Sequence, residues 1–355
     1  FYKKYLNDIR TSQRSDGCVS AVAPALNVYE SYDGNGWGDA VVIIPWQMYQ
    51  QYNDTTFITD NYDAMKAWID YNKKNSNNFL RPDGFYGDWL SINSSTPTGL
   101  TNTAWFAYVS ELFSKMAAVI GEDQDAAAYA QLAENIKEAW RARYIQDDGS
   151  LTADTQTAYL VALGFDLVLP DQRANLARLL VENIKEHGYH LTVGFVGVSY
   201  LCPVLSEMGY DDVAYKLLEQ ETYPGWLYSV LQGATTIWER WNSYTLESGF
   251  GDVSMNSFNH YSYGSIEEWM MRYSLGIERD EEQPGYKHII LQPTFGGTLT
   301  YAKGHYDSVY GRISSGWALD GEDFTYDVTI PANTTATLYL PAEAEIGRAS
   351  CRERV

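Results

Sequence analysis

The feature that most limits how this chain can fold is a series of amphipathic segments running from Phe1 to about Gly276, separated by short joints rich in Gly, Pro or Asp. In one segment, Trp105, Tyr108, Leu112 and Met116 repeat at helical spacing, which predicts a helix over residues 101–120. No alternation of strands and helices interrupts the series, so a parallel sheet is not expected. Roughly ten or eleven helices are predicted, paired mostly antiparallel, and they indicate a closed ring of helical hairpins.

Two further segments carry clear helix signals. Residues 127–144 place Tyr129, Leu132, Ile136, Trp140 and Tyr144 on one stripe. The segment from Pro170 to Gly188 begins and ends with the residue types expected at a helix start and stop.

After about Glu278 the period of the sequence changes from helical to alternating. The alternation places four apolar residues on one face: Phe324, Tyr326, Val328 and Ile330. The sequences DGED and PANT lie where hairpin turns belong. We therefore predict a helical domain over residues 1–278 and a small antiparallel β-sandwich over residues 279–344.

The bulk composition excludes several classes of protein. At 355 residues the chain exceeds what one hydrophobic core usually serves. Its formal net charge of −21 repels phosphate backbones and anionic lipid, so no nucleic-acid partner is expected. No apolar run approaches the roughly 18 residues that a membrane span needs, so no membrane protein is expected.

Aromatic residues make up 15% of the chain, including 29 Tyr and 11 Trp. Such an excess suits stacking on the flat apolar faces of sugars, although a large aromatic core explains it equally well. The three cysteines, Cys18, Cys202 and Cys351, have neither metal-ligand nor disulfide spacing, so we expect no metal and no cofactor. Low cysteine use favours the cytoplasm and is also compatible with the periplasm or secretion.

Both ends of the chain have unusual sequences. Phe1 stands inside a helical pattern, without an initiator Met or a signal-peptide pattern. Residues 345–355 show no apolar periodicity and resemble a translated sequencing adapter. We expect the natural sequence to stop near Ala344 and the chain to be truncated at both ends.

Two glycine-rich joints each place a tryptophan beside an aspartate. They are DGNGWGDA, with Trp37 and Asp39, and DGFYGDWLS, with Asp88 and Trp89. An indole and a carboxylate together match the apolar face and hydroxyl rim of a sugar. In the alternative interpretation, each aspartate caps the next helix while the tryptophan packs beneath it.

Glu239 stands between Trp238 and Trp241 in the sequence GATTIWERWNS. Hydrolysis of a glycoside with inversion needs one carboxylic acid and one carboxylate, and Glu239 is a candidate for either. The alternative is an ion pair with Arg240 or Arg272 that only stabilises the fold.

His260 follows in the sequence SMNSFNHYSYGS, after Asn256 and Asn259. A single histidine is more often structural than functional, so His260 gains weight only from lying beside Glu239. Glu247 and Asp252 are also near, and we interpret them as solvated loop charges.

Five ordered motifs carry a resemblance to a known family. They are YLNDIRTSQRSDGCVSAVAP, GWGDAVVIIPWQMY, GDWL, GATTIWERWNS and SMNSFNHYSYGSIEEWM. Through them the chain, from Phe1 to about Ala344, resembles the catalytic and C-terminal domains of bacterial α-L-rhamnosidases of glycoside hydrolase family 78.

The resemblance implies an (α/α)6 barrel followed by a β-sandwich and the release of terminal L-rhamnose with inversion. It implies that Glu239 is the general base and His260 a sugar-binding residue. Trp37 and Trp89 would line the rhamnose pocket, and the two tryptophans that flank Glu239 would help to wall the cleft.

The chain departs from the family pattern at one point. The general acid of the family lies in a motif of the type DCPQRDERLGWTGD, just upstream of the helix that begins this chain. We therefore expect the chain to carry half of the carboxylate pair and to be inactive or nearly so by itself.

Two other functions stay open at this stage. One is another (α/α)6 glycosidase, such as a glucosidase or an unsaturated uronyl hydrolase, which would lack the ordered GWGDA and WERW loops. The other is a non-catalytic sugar-binding protein that keeps the aromatic cleft.

Overall fold

The computed structural model describes residues 1–25, 34–321 and 323–340. They divide into two compact units. The first, which we call the helical unit, contains Phe1–Trp269 and Gly296–Thr298. The second, the β unit, contains Met270–Phe295 and the residues from Leu299 onward. The predicted tail over residues 345–355 and Cys351 lie outside the described residues.

Twelve α-helices occur in the described chain, two of them of a single turn. They are α1 (Tyr2–Ser12), α2 (Ala40–Tyr52), α3 (Thr56–Thr59), α4 (Tyr62–Lys74), α5 (Thr98–Val119), α6 (Asp123–Tyr144), α7 (Gln156–Gly164), α8 (Pro170–Glu186), α9 (Phe195–Glu207), α10 (Asp211–Leu218), α11 (Trp226–Leu231) and α12 (Ile266–Trp269). The helices predicted over residues 101–120, 127–144 and 170–188 are confirmed as α5, α6 and α8. No helix of the described ranges combines the length and apolar character needed to cross a bilayer.

Successive helices of the helical unit differ in how they are buried. Helix α5 buries Trp105, Leu112 and Met116 of its predicted stripe, with Tyr108 half-buried. It also buries Thr101, Asn102 and Thr103, and α7 is buried from Gln156 to Leu163. Helices α6 and α8 bury one side only, as an amphipathic pattern requires. Inner helices apolar on most sides therefore alternate with outer amphipathic ones.

Local chemistry fixes where two of these helices begin and end. The Thr155 hydroxyl accepts a 3.2 Å hydrogen bond from the Ala158 N–H, which caps α7. Pro170 occupies the first turn of α8, where the missing N–H has no helical partner to lose. Gly188 follows α8 with φ +66, a left-handed conformation that ends the helix.

The described residues also form eight β-strands. They are β1 (Tyr244–Thr245), β2 (Gly249–Phe250), β3 (Ile277–Arg279), β4 (His288–Leu291), β5 (Tyr301–Ser308), β6 (Gly311–Asp320), β7 (Asp323–Thr329) and β8 (Thr335–Leu338). Strands β1 and β2 form a hairpin in the helical unit. The β unit has two three-stranded sheets, with strand orders β3-β4-β8 and β5-β6-β7.

The pairing of β8 differs from the predicted all-antiparallel arrangement. Strand β8 lies parallel to β4, with His288 opposite Thr335, so the sheet is mixed. Strands β6 and β7 form the predicted hairpin, with Asp320 opposite Asp323, whereas residues 331–334 connect strands of two different sheets and form no hairpin. Alternation identifies a strand but does not identify its partner, which explains the error.

The two sheets of the β unit share an apolar core. Six buried residues form it: Leu275, Ile277, Tyr286, Ile289, Leu291 and Ile313. Beside it, the Trp317 indole donates a 2.7 Å hydrogen bond to the Ser274 carbonyl. Of the predicted β7 face, Phe324 and Tyr326 are half-buried, whereas Val328 is 39% exposed and Ile330, which follows the end of β7, is 36% exposed.

Truncation of Ile289 tests this core. Ile289 is fully buried, so Ile289→Ala should lower the free energy of unfolding of the β unit by about 2 to 5 kcal/mol. The measurement is native-state amide hydrogen exchange of β4 and β6, which reports on this unit separately. The exposed Val309 provides the control, since Val309→Ala should change the value by less than about 0.5 kcal/mol. Equal effects of the two substitutions would contradict the described packing.

Candidate active site

The loop before α2 is organised around the buried carboxylate of Asp39. Asp39 is 0% exposed and accepts hydrogen bonds from the Gly36 N–H at 2.6 Å and the Trp68 indole at 2.7 Å. The Asn35 amide lies 3.3 Å from the same carboxylate, and its oxygen accepts from the Arg81 guanidinium at 3.0 Å. Burial raises the pKa of Asp39, and these donors offset part of the increase. Asp39 thus fixes the loop and is not exposed to a sugar.

An aromatic cluster joins this loop to the next glycine-rich joint. The ring of Trp37 lies 5.0 Å from Tyr86, and Tyr86 lies 5.0 Å from Trp89 in an edge-to-face contact. Phe85 also contacts Trp37 at 5.8 Å. A Cβ atom on Gly34 would lie only 2.1 Å from Phe85, so this close approach requires glycine. The two predicted tryptophans are therefore brought together, both half-buried. Sequence reasoning missed the two rings that join them, although both stand in the motif DGFYGDWLS.

Asp88 caps a helix that begins more than a hundred residues later. Its carboxylate accepts hydrogen bonds from the N–H groups of Gly194 and Val196, both at 2.8 Å, and of Gly197 at 3.1 Å. The Thr157 hydroxyl donates to the same carboxylate. These backbone groups form the amino end of α9, where a negative charge is stabilised. Asp88 is therefore a helix-capping residue, as the alternative interpretation proposed. The helix that it caps is α9, and not α5, the next helix in the sequence.

The same cap connects Trp89 to the predicted histidine. The Phe195 N–H, also in the first turn of α9, does not bond to Asp88 but donates to the Trp89 carbonyl at 2.9 Å. The ring of Phe195 then contacts His260 at 4.9 Å. Burial raises the pKa of Asp88, and its four donors offset part of that increase. Asp88 therefore positions Trp89 and His260 and is itself 8% exposed.

Glu239 is held against the segment that carries His260. The Glu239 N–H donates to the Ser257 carbonyl at 2.9 Å, and the Ser257 N–H donates to the Glu239 carboxylate at 2.7 Å. The His260 N–H donates to the Ile237 carbonyl at 2.9 Å. These three bonds place Glu239 and His260 on two adjacent backbone segments, and both side chains are half-buried.

The alternative interpretation, in which Glu239 forms an ion pair with Arg240 or Arg272, does not fit the contacts of these two arginines. The Arg240 guanidinium donates to the Met255 carbonyl, and Arg272 pairs with Glu278. In the part of the chain that the structure describes, no basic side chain forms an ion pair with Glu239. Its carboxylate therefore retains acceptor capacity that no side-chain cation occupies.

The tryptophans that flank Glu239 pack against other rings. Trp241 is 6% exposed, stacks on Tyr263 at 4.0 Å and donates its indole N–H to the Val193 carbonyl at 2.8 Å. Trp238 is 9% exposed and meets the ring of Phe258 edge to face at 5.5 Å. For Trp241, this packing does not match the expectation that both rings wall a sugar cleft. Trp241 supports the Glu239 segment from within, whereas Trp238 borders a cavity of about 530 Å³.

Tyr263 connects the loop that carries Trp89 with the segment that carries Glu239. It was not identified from the sequence. Its hydroxyl donates to the Leu90 carbonyl at 3.1 Å, while its ring stacks on Trp241. Burial raises the pKa of Tyr263, and the carboxylates of Asp88 and Glu239 add to the increase. A lone tyrosine in an aromatic-rich sequence gives no signal of such a role.

The remaining candidate groups are possible metal ligands, the cysteines and two further acids near Glu239. Within the described ranges, no group of three or more His, Cys, Asp or Glu residues could hold a metal ion. Cys18 and Cys202 are both buried, and burial raises the pKa of Cys202. Glu247 and Asp252 are exposed.

Comparison with known families gives this geometry a context. Residues 1–274 match the family described as the bacterial α-L-rhamnosidase 6 hairpin glycosidase domain. Residues 276–353 match the bacterial α-L-rhamnosidase C-terminal domain. The chain belongs to the bacterial α-L-rhamnosidase family.

Individual members of this family are close in sequence and structure. The α-L-rhamnosidase of Streptomyces avermitilis is 40% identical over 97% of this chain, and that of Formosa agariphila is 38% identical over 97%. The crystal structure of the Streptomyces avermitilis α-L-rhamnosidase complexed with L-rhamnose matches with a TM-score of 0.94 over 97% of this chain and 33% of that chain. The chain spans 33% and 38% of the length of the two relatives.

These matches confirm the resemblance and the predicted fold class. A six-hairpin helical domain is followed by a small β domain, as the rhamnosidase family requires. The prediction that all strands of the β domain pair antiparallel is wrong, because β4 and β8 are parallel.

Removal of the Asp88 carboxylate tests its role as a remote cap. Asp88→Ala leaves three backbone N–H groups and one hydroxyl without their acceptor in a buried site. We expect the free energy of unfolding of the helical unit to fall by at least about 2 kcal/mol, measured by urea denaturation with far-UV circular dichroism.

A matched control is available at another helix start. Asp123 is an exposed acidic residue in the first turn of α6, so Asp123→Ala should cost less than about 1 kcal/mol. If Asp88→Ala were as mild as Asp123→Ala, the capping role of Asp88 would be rejected.

Proposed function

We propose that the protein containing this chain hydrolyses terminal α-L-rhamnosides with inversion, and that Glu239 is its general base. One observation carries the proposal: Glu239 is a half-buried carboxylate that the Ser257 N–H orients, beside His260, and no basic side chain of the described residues forms an ion pair with it. Family membership supports it, because the relative from Streptomyces avermitilis is an α-L-rhamnosidase crystallised with L-rhamnose.

In the proposed reaction, the Glu239 carboxylate takes a proton from a water molecule. The water oxygen attacks the anomeric carbon from the face opposite the leaving oxygen. The bond from the anomeric carbon to that oxygen breaks, and the oxygen takes up a proton from a carboxylic acid roughly 6.5 to 9.5 Å from the base. The products are β-L-rhamnose and the free alcohol or phenol. We propose that the acid comes from the family motif upstream of this chain.

The surrounding residues suit a neutral 6-deoxy sugar. Trp37 and Trp89 belong to one aromatic cluster, so their rings can cover the apolar face and methyl group of rhamnose. His260 can hydrogen-bond to a ring hydroxyl. Asp39 and Asp88 act through the loops and the helix that they hold. The net charge of −21 disfavours anionic substrates.

Replacement of Glu239 tests the proposed base without needing the acid. The leaving group of 2,4-dinitrophenyl α-L-rhamnoside departs without protonation, so its hydrolysis by the chain depends on the base alone. We expect Glu239→Gln to lower kcat by at least about 100-fold, measured by release of dinitrophenolate. Azide should restore turnover of Glu239→Ala and give β-L-rhamnosyl azide, identified by NMR.

Glu247→Gln is the matched control, because Glu247 is an exposed acid on the hairpin that follows Glu239. Its kcat should equal that of the unmodified chain. Wild-type activity of Glu239→Gln would remove Glu239 from the role of base. Absence of both dinitrophenolate release and L-rhamnose binding would contradict the proposed function itself.

Truncation of the pocket tryptophans tests the sugar assignment. Trp89→Ala and Trp37→Ala should each weaken L-rhamnose binding by roughly 1 to 3 kcal/mol through lost stacking, measured by isothermal titration calorimetry. Tyr52→Ala is the control, since Tyr52 is a 46% exposed aromatic residue at the end of α2. Unchanged affinity in both tryptophan variants, with folding intact by circular dichroism, would reject the pocket assignment.

A further inference from the structure

A cavity lies on the sheet β5-β6-β7 of the β unit. Its volume is about 680 Å³, within the range of cavities that hold small molecules. Successive side chains of a strand point to opposite faces of the sheet. The exposed lining residues, such as Lys303 and Asp327, therefore lie on the face opposite the buried Ile313 and Trp317.

The pairing of the three strands defines the walls and the floor of this cavity. Gly316 of β6 lies between Lys303 of β5 and Asp327 of β7. The neighbouring rows repeat this arrangement: Tyr301, Ala318 and Thr325, and His305, Ser314 and Thr329. The central strand thus places small residues between the longer side chains of the two outer strands, and the cavity is a groove that follows β6.

The spacing of the strands gives the dimensions of the groove. Neighbouring strands are about 4.8 Å apart, so the Cα atoms of Lys303 and Asp327 lie about 10 Å apart across it. Successive rows are about 7 Å apart, so the three rows cover about 14 Å. Arg312 stands at one end of the groove, where its Nε and Nη2 groups donate to Asp307 at 2.7 and 2.9 Å. These dimensions suit an extended chain of linked units.

The two walls of the groove offer complementary polar groups. The Lys303 ammonium can only donate hydrogen bonds, and the Asp327 carboxylate can only accept them. Among the residues that the structure places, neither of these two side chains forms an ion pair or a hydrogen bond. Asp307 balances the charge of Arg312, so the groove carries little net charge although the whole chain carries −21. An uncharged ligand with both donors and acceptors therefore fits it best.

We propose that this groove binds a neutral oligosaccharide. Sugar hydroxyls donate and accept hydrogen bonds, so they match both Lys303 and Asp327. Tyr301 is 63% exposed and provides a ring on which a sugar face can stack. An extended peptide is disfavoured, because β6 already has a partner strand on each side and offers no edge for strand pairing. The inference does not depend on Glu239, since all the lining residues belong to the β unit.

Calorimetric titration of the whole chain tests the inference. The neutral probes are cellotriose, mannotriose and an α-linked L-rhamnotriose, and the anionic probe is trigalacturonate. The Glu239→Gln background keeps cleavage of the rhamnotriose from contributing to the heat. We expect at least one neutral trisaccharide to bind, and trigalacturonate to bind at least about 10-fold more weakly.

Two substitutions locate the binding in the groove. Tyr301→Ala should weaken the binding of the neutral trisaccharide roughly 3- to 10-fold through lost stacking. Gly316→Val fills the floor, where a Cβ atom would already lie 3.2 Å from the Lys303 Cβ, and should weaken binding at least about 10-fold. Valine suits a strand, so the far-UV circular dichroism should not change.

Tyr339→Ala is the matched control for Tyr301→Ala. Tyr339 is a 51% exposed tyrosine of the β unit that does not line the groove, so its removal should leave the affinity unchanged. An equal loss in Tyr339→Ala would overturn the assignment to the groove. So would unchanged affinity in both Tyr301→Ala and Gly316→Val.

The remaining outcomes separate this inference from the proposed function. Binding of rhamnotriose alone, lost in Trp89→Ala and kept in Gly316→Val, would overturn the groove and leave the rhamnosidase proposal intact. Groove-dependent binding without any L-rhamnose binding would support the groove and contradict the proposed function. Tighter binding of trigalacturonate would overturn the neutral ligand. Absence of trisaccharide binding, with a change of oligomeric state in Gly316→Val by light scattering, would make the groove a contact between copies of the chain instead.

Discussion

The candidate site depends on one buried carboxylate that bridges distant parts of the chain. The Asp88 carboxylate accepts hydrogen bonds from backbone N–H groups at the start of α9. The Phe195 N–H in the same turn donates to the Trp89 carbonyl instead. Trp89 and Phe195 are thereby fixed as a pair, and Phe195 contacts His260. A buried charge is tolerated here because every donor around it belongs to a rigid backbone or a buried hydroxyl. The aromatic pocket and the histidine therefore share one electrostatic anchor.

Three acids that look alike in the sequence have different environments in the structure. Asp39 and Asp88 each stand near a tryptophan, are buried, and have their oxygens occupied by protein donors. Glu239 also stands beside a tryptophan but remains half-buried, and its carboxylate accepts a hydrogen bond from the Ser257 N–H. The number of donors and the exposure of the carboxylate, rather than the neighbouring indole, separate an acid that holds the fold from one available for chemistry.

Local patterns predicted much of this structure, whereas long-range pairing did not follow from them. Helices α5, α6 and α8 were predictable because the apolar period and end signals lie within each segment. The joints with Trp37 and Trp89 were recognisable from composition. The partner of Asp88, the link made by Tyr263 and the parallel neighbour of β8 each join residues far apart in sequence, and no periodicity records such distances.

The parallel pairing of β4 with β8 also has a consequence for the order of folding. Hairpins such as α5–α6 join neighbouring helices and can form while later residues are still on the ribosome. The sheet β3-β4-β8, in contrast, lacks its third strand until Leu338 has been synthesised. Hydrogen-bonding groups along β4 stay open during that interval, when another strand could pair with them. The β3-β4-β8 sheet is therefore completed only at the end of synthesis. Until then, the open edge of β4 is the point at which misassembly during translation would begin.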